Sequence, residues 1–291
     1  MLSQKLKSNP ILYRNILPIL TDVSLRDGLQ TENAIDWTLS KKQELYHKIV
    51  TTYSPTYIEV GSFANPKVLP IMGDTTPLFH YVNDYKRFRG NSTEHYVLIP
   101  TMNRLHEAII NNVTHFSFLT SVSNTFQKKN VNRTLTETKS ELKQINELLK
   151  DLPNIRKKLY ISCICECPLV GHIDIDVVLN EICQYYHQYS FDEICLSDTC
   201  GTLTFKDFTY LIESIYLFGV PKSKIGLHLH MKNRNELDQI IRYSLKNGIL
   251  RFDISAIESG GCSVTMKECV PNLTYDVFMS IYNKVFRESD V

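Results

Sequence analysis

The chain has 291 residues, 43% of them apolar and 22% charged, with a formal charge of +1, the profile of an ordinary soluble globular protein. That length admits one large domain or two small ones, and (β/α)8 barrels commonly use about 250 residues for a single core. Near-neutral charge gives no electrostatic support to a nucleic-acid partner, and the apolar runs are strand-sized, far short of the roughly 18 residues a membrane span needs.

The first acidic residue is Asp22, and Lys5, Lys7 and Arg14 before it accompany neither a continuous apolar signal core nor an Arg-rich amphipathic pattern, so a cytoplasmic location is expected. From there, short β-branched runs alternate with amphipathic stretches. Strands are predicted at Ile16–Val23, Tyr57–Val60, His95–Ile99, His115–Leu119, Leu159–Cys165, Glu193–Leu196, Ile225–His230 and Leu250–Ile254. Helices are predicted at Ser40–Thr52, Val68–Met72, Asn103–Asn111, Thr134–Leu149, Asp174–Tyr189, Thr204–Phe218, Asn233–Asn247 and Thr274–Phe286. No linker interrupts this alternation, and no GxGxxG turn follows the first strand, where Ser24-Leu25-Arg26-Asp27-Gly28 stands instead. The expected architecture is therefore a (β/α)8 TIM barrel over 1–291 as one domain, with a short N-terminal extension at about 1–15.

Eight cysteines are too few for a disulfide framework in a chain of this length and read as reduced thiols. Cys163, Cys165 and Cys167 alternate along one apparent strand, which would put them on one face. Core packing is preferred there over a thiol metal site, because thiols two apart crowd one another and no CxxC partner pair exists.

In a (β/α)8 barrel the chemistry sits at the C-terminal ends of the strands, and polar residues cluster at those positions here. His228 and His230 are two apart on a strand, so both imidazoles share a face and can grip one ion. Further ligands must come from other strands. A carboxylate such as Asp27 and an amide such as Asn272 would complete a mixed nitrogen and oxygen shell suited to Mg²⁺ or Mn²⁺. Arg26 beside Asp27 gains little as a neighbouring pair and reads better as a group aimed at substrate; the alternative is a plain turn with Gly28 at positive φ. Glu59 is a solitary charge between Ile58 and Val60, to be paired or functional, for instance by positioning Arg26. Asp198 after Cys195-Leu196 has the same status or orders its loop. Gly260-Gly261-Cys262 would carry a thiol on a mobile loop or mark only a tight turn.

Taken together, TDVSLRDGLQTE at 21–32, YIEVGSFANPKVLPIMGD at 57–74, FQKKNVN at 126–132, YISCICECPLVGHI at 160–173, EICLSDTCG at 193–201, HLH at 228–230 and GGC at 260–262 resemble the hydroxymethylglutaryl-CoA lyase family. Leu29 looks like the lyase branch rather than the condensing synthases. The resemblance implies metal ligands at Asp27, His228, His230 and Asn272, and an enolate-stabilising arginine at Arg26 that binds substrate together with Gln30. It further implies catalytic roles for Glu59, Asp198, His228 and Cys262. The implied reaction is retro-Claisen cleavage of an acyl-CoA substrate, 3-hydroxy-3-methylglutaryl-CoA, into acetyl-CoA and acetoacetate with Mg²⁺ or Mn²⁺. A homodimer is left open, and Lys128 and Lys129 are either CoA phosphate contacts or a solvated pair.

Two departures are local. After His230 the family continues Asp-Thr-Tyr-Gly, whereas Met231-Lys232-Asn233-Arg234 follows here, and the segment after Cys262 is bulkier and longer. They motivate two alternatives to an active lyase: a barrel that keeps its ligands as a binding or regulatory protein, and a condensing acyltransferase of the same superfamily.

Overall fold

The computed structural model describes residues 17–261, 265 and 270–287. Strands β1 (Ile19–Asp22), β2 (Tyr57–Ser62), β3 (Glu94–Leu98), β4 (His115–Ser121) and β5 (Arg156–Ser162) are followed by a short hairpin of β6 (Glu166–Cys167) and β7 (Gly171–His172). Then come β8 (Glu193–Ser197), β9 (Ile225–His228) and β10 (Arg251–Ile254). Leaving the hairpin aside, eight strands pair in parallel around a closed circle, β1-β2-β3-β4-β5-β8-β9-β10, and β10 returns to β1 with Ile19 opposite Arg251. The expected (β/α)8 barrel is the observed one.

The helices lie between strands: α1 (Leu39–Thr52), α2 (Thr75–Arg89), α3 (Met102–Ile110), α4 (Asn124–Val131), α5 (Leu135–Leu149), α6 (Ile175–Gln188), α7 (Phe205–Leu217), α8 (Arg234–Lys246) and α9 (Tyr275–Arg287). Their starts are fixed by side chains that accept otherwise unpaired first-turn N–H groups. Thr38, Thr101, Ser123, Asp174, Thr204 and Asn233 all do so, and Thr134 with Glu137 forms a reciprocal capping box. The longer helices lay an apolar stripe on the barrel; in α7 it is Phe208, Leu211, Ile212 and Ile215, the i, i+3, i+4, i+7 spacing of one helical face. None of the described helices is long and apolar enough to cross a membrane.

Several local expectations are corrected. Val68–Met72 is not one helix; Val68 closes a turn that begins at Asn65, Pro70–Met72 is a 3₁₀ segment, and the helix of that unit is α2. Pro77 is tolerated there because it lies in the first turn, where its missing N–H is no loss. The eight-residue α4 was not foreseen either; it buries only Phe126 and Gln127, too few to print a periodic pattern. The fifth strand ends at Ser162, not Cys165: Cys163 leaves it with a φ of 64°, so Cys163, Cys165 and Cys167 do not alternate along one strand. The six described cysteines are free. Finally, β1 gives way at once to a π-helical turn over Ser24–Gly28, in which Gly28 has no positive φ; it is small because Ile257 packs within 2.8 Å of where a Cβ would stand.

Candidate metal centre

All five residues of the π turn are buried, and it drives Arg26 and Asp27 inward at the C-terminal mouth of the barrel. The expectation that these neighbours gain little from each other is overturned, because the turn replaces strand geometry: Arg26 Nη1 donates to Asp27 Oδ1 at 2.5 Å. Arg26 Nε donates to Glu59 Oε2 at 2.5 Å. Glu59, on β2, is itself gripped by the Ser117 hydroxyl from β4 and by Tyr160 Oη from β5 at 3.3 Å. The guanidinium also lies 5.1 Å from the centre of the Tyr160 ring, in cation–π range. Burial alone would lower the Arg26 pKa, but Glu59 and Asp27 raise it well above its ordinary value.

Opposite stand the two imidazoles. His228 ends β9, and His230 follows in a lone bridge to Asn272, their ring centres 5.0 Å apart. His228 Nδ1 is 3.1 Å from Asp253 Oδ2, and His230 Nδ1 is 2.8 Å from the backbone oxygen of Asp198. Both partners accept only, so each contact calls for a proton on Nδ1, which in a neutral imidazole leaves the lone pair on Nε2. His230 Nε2 is buried and finds no hydrogen-bond partner among the described residues. His228 Nε2 lies 3.9 Å from Asp27 Oδ2. One ligand atom from each of Asp27, His228 and His230 falls within 4.8 Å of the other two.

Two bare imidazole nitrogens and a carboxylate meeting in a buried pocket fit a divalent cation. Burial raises the Asp27 carboxyl, but Arg26, His228 and His230 hold it below its ordinary value, so the carboxylate is ionised. Burial, aided by His228, pushes the His230 imidazole down to about 4, which keeps it neutral near pH 7.

Gln30 Nε2 donates to Asp27 Oδ1 at 3.2 Å and to the Gly261 carbonyl at 2.5 Å, tying the turn to the last loop. Asn272 Nδ2 donates to Asp27 Oδ2 at 3.0 Å and to the Ser259 carbonyl at 2.9 Å. Asp198 enters differently. Its carboxylate accepts from the N–H groups of Thr202 and Leu203, both at 3.1 Å, around a turn that Gly201 makes with a φ of 66°, while its backbone oxygen holds His230. Burial pushes the Asp198 carboxyl up to about 6 despite those donors. Cys262 lies outside the described residues.

The structure thus gathers Arg26, Asp27, Gln30, Glu59, His228, His230 and Asn272 into one cluster. It adds residues that sequence reasoning missed: Tyr160, Ser117, Asp253 and, beneath them, Lys158. The signal for Asp253 was present, since it is a solitary charge between Phe252 and Ile254, like Glu59 between its neighbours. A cavity of about 150 Å³ opens beside the cluster. Arg26, Asp27, His228 and His230 form its polar side, and Leu98, Leu119, Phe126 and Val131 are among the residues of its apolar side.

Comparison with known proteins agrees. Hydroxymethylglutaryl-CoA lyase YngG of Bacillus subtilis is 26% identical over 243 residues, 84% of this chain and 78% of that one. The human cytoplasmic 3-hydroxy-3-methylglutaryl-CoA lyase is 28% identical over 243 residues, and the match spans 63% of its length. Among solved structures, the HMG-CoA lyase of Brucella melitensis superposes with a TM-score of 0.80 at 21% identity, covering 94% of this chain and 96% of that one. An HMG-CoA lyase from A. baumannii, solved in complex with coenzyme A and 3-methylmalate, gives 0.79 at 22% identity, covering 92% and 84%. These structures share the barrel. The HMGL-like family model matches residues 17–234, and on a match of that extent the chain belongs to the HMGL-like lyase family.

Proposed function

We propose that the chain is a divalent-metal-dependent carbon–carbon lyase that cleaves 3-hydroxy-3-methylglutaryl-CoA, or a close 3-hydroxyacyl thioester, to acetyl-CoA and acetoacetate. The observation that carries this reading is the convergence of Asp27 with the bare Nε2 atoms of His228 and His230, next to an arginine facing the same cavity. Asp27, His228 and His230 would hold the cation, with Asn272 as fourth partner. Bound there, Mg²⁺ or Mn²⁺ supplies Lewis acidity that lowers the pKa of the substrate's tertiary hydroxyl.

In the cleavage, the hydroxyl gives its proton to a base at the barrel mouth, the C3–O bond becomes the ketone of acetoacetate, and the C2–C3 electron pair passes to C2 as the enolate of acetyl-CoA. Negative charge then grows on the thioester oxygen. Arg26 is built to meet it: Glu59 fixes Nε, Asp27 fixes Nη1, and the residue lines the cavity. A donor held in place before the charge develops stabilises that charge without reorganising. Of the two sequence candidates for the proton that completes the acetyl methyl, His228 has its Nδ1 proton committed to Asp253 and its Nε2 given to the cation, which leaves the role to Cys262. Asp198 acts through its carbonyl, as a positioning group for His230.

The departure after His230 does not strip the imidazoles of support. Asp253 serves His228, Asp198 serves His230, Met231 N–H is tied to the Pro271 carbonyl at 2.8 Å, and Asn233 caps α8 one residue before the position of the family's glycine. The complex of coenzyme A with the A. baumannii relative supports an acyl-CoA ligand. The test is release of acetyl-CoA from hydroxymethylglutaryl-CoA by the purified protein with Mg²⁺ or Mn²⁺. No cleavage of this or several related thioesters with either ion, in a folded protein, would overturn the reading.

A further inference from the structure

Beneath the histidines, nearer the N-terminal ends of the strands, lies a second group of charges that the mechanism does not use. Lys158 on β5 has no exposed surface, and its ammonium meets Asp253 Oδ1 and, at 3.1 Å, Glu193 Oε1. Glu193 also accepts from Arg251 Nη1 at 3.2 Å. Gly226, two residues before His228 on β9, leaves the room Glu193 occupies: a Cβ there would stand 2.3 Å from Glu193 Oε1. Asp253 thus gives one oxygen to Lys158 and the other to His228 Nδ1.

We propose that Asp253, oriented by Lys158, is the positioning residue that fixes His228 in the Nδ1–H tautomer and so keeps a lone pair on Nε2 for the centre above. The lysine decides which way this contact runs. An ammonium only donates, so it commits Asp253 Oδ1 downward and leaves Oδ2, also an acceptor, for the imidazole. Carboxylates that orient metal-binding histidines act in this way.

Asp253→Asn tests the direction of the contact with little change in shape. Lys158 would draw the amide oxygen toward itself, leaving the Nδ2 donors to face His228 Nδ1. The imidazole would then have to accept at Nδ1 and carry its proton on Nε2, where it blocks a cation. The experiment is equilibrium dialysis of Mn²⁺ against the full chain, wild type and D253N, with folding followed by circular dichroism. The expected result is affinity about 10- to 100-fold weaker in D253N, partly recovered at high Mn²⁺. A folded D253N with wild-type affinity overturns the proposal.

A second measurement needs no variant. Long-range ¹H–¹⁵N spectra of ¹⁵N-histidine-labelled protein without metal are expected to show His228 protonated on Nδ1, and an Nε2–H tautomer overturns the proposal even if D253N does not fold. The inference rests on the metal-centre reading. Failure of the wild type to bind Mn²⁺ would sink that reading, while the tautomer still decides this one.

Discussion

The barrel encloses two buried charge clusters that meet the same distance test for a metal and differ in what they have left to offer. Asp27, His228 and His230 at the mouth place their ligand atoms within 4.8 Å of one another, and so do Glu193, Cys195 and Asp253 below. In the lower cluster the Lys158 ammonium already bonds one oxygen of each carboxylate, Arg251 and His228 meet the other two, and the positive charge a metal would bring is supplied by the lysine. At the mouth, His230 Nε2 has no partner among the described residues, and the group opens onto a cavity. Spacing alone therefore does not define a metal site in a barrel core; uncommitted lone pairs do. The lower cluster is held together by its own lysine, and the upper one is left for a cation from solution.

The largest effect expected from breaking this contrast is on stability. Lys158→Met removes the cation from two fully buried carboxylates, and breaking a buried pair in this way typically costs about 3–5 kcal/mol. Urea unfolding measures it. A loss under about 1 kcal/mol would mean that Arg251 alone neutralises the lower cluster. Burial by itself would lower the Lys158 pKa, but Asp253 and Glu193 raise it well above its ordinary value. Burial would raise Asp253, which Lys158 and His228 instead hold well below the usual carboxylate range.

Asp22 sharpens the point, because it feels the charge of Asp253 yet has no cation of its own. Its Oδ2 has no hydrogen-bond partner among the described residues, and burial pushes its pKa up to about 7 against the hydrogen bonds from Ser24. A raised carboxyl pKa means that the folded state holds the extra proton between the unfolded value near 4 and about 7. Stability from this group is therefore full at low pH, falls as pH rises through that window, and levels off above it. Asp22→Asn should remove the slope and leave the variant up to about 4 kcal/mol more stable than wild type at pH 8, with little difference at pH 4. Parallel unfolding curves for the two proteins across this range would show that Asp22 ionises freely.

At the mouth, Arg26→Met leaves Glu59 and Asp27 without their buried cation, so stability should fall as well, and in the folded protein turnover should drop about 100- to 1,000-fold, the usual effect of losing one donor to a developing oxyanion. Mn²⁺ affinity should change far less than turnover. A variant that keeps its rate would assign the enolate charge to another group.

The fold was legible because eight strand-sized runs and their helices repeat without interruption, and a closed parallel barrel is the arrangement that buries them all. Boundaries failed where tertiary contacts overrule local pattern, as at Cys163, whose N–H is taken by Thr199 Oγ1 as the chain turns out of β5. Of the site, the His-x-His pair and Asp27 were legible from residue type at strand ends. The Arg26–Asp27 contact was not, because adjacent side chains diverge on a strand and converge only in the π turn that replaces it. The pairing of Lys158 with Asp253 was illegible for another reason: although Asp253 stands out locally as a solitary charge, the contact joins strands 95 residues apart across the barrel, and nothing local to either announces the other.

The smallest effect belongs to Asn272, and it bears on how the mouth holds its charge. Its Nδ2 donates to both Asp27 and Ser259, so in this structure the amide steadies the Asp27 carboxylate, and only its Oδ1 could serve as a ligand. Asn272→Ala removes either contribution and should weaken Mn²⁺ binding about tenfold, the low end for groups that orient a ligand. Asn272→Asp separates the two roles. As a ligand, the new carboxylate adds charge toward the cation, and affinity should hold or rise. If Asn272 acts only as a donor to Asp27, the new carboxylate cannot replace that donation, and affinity should stay well below that of the wild type. Side-by-side Mn²⁺ titrations of the wild type and the two variants distinguish these outcomes, and variants that both bind as the wild type does would remove Asn272 from the centre altogether.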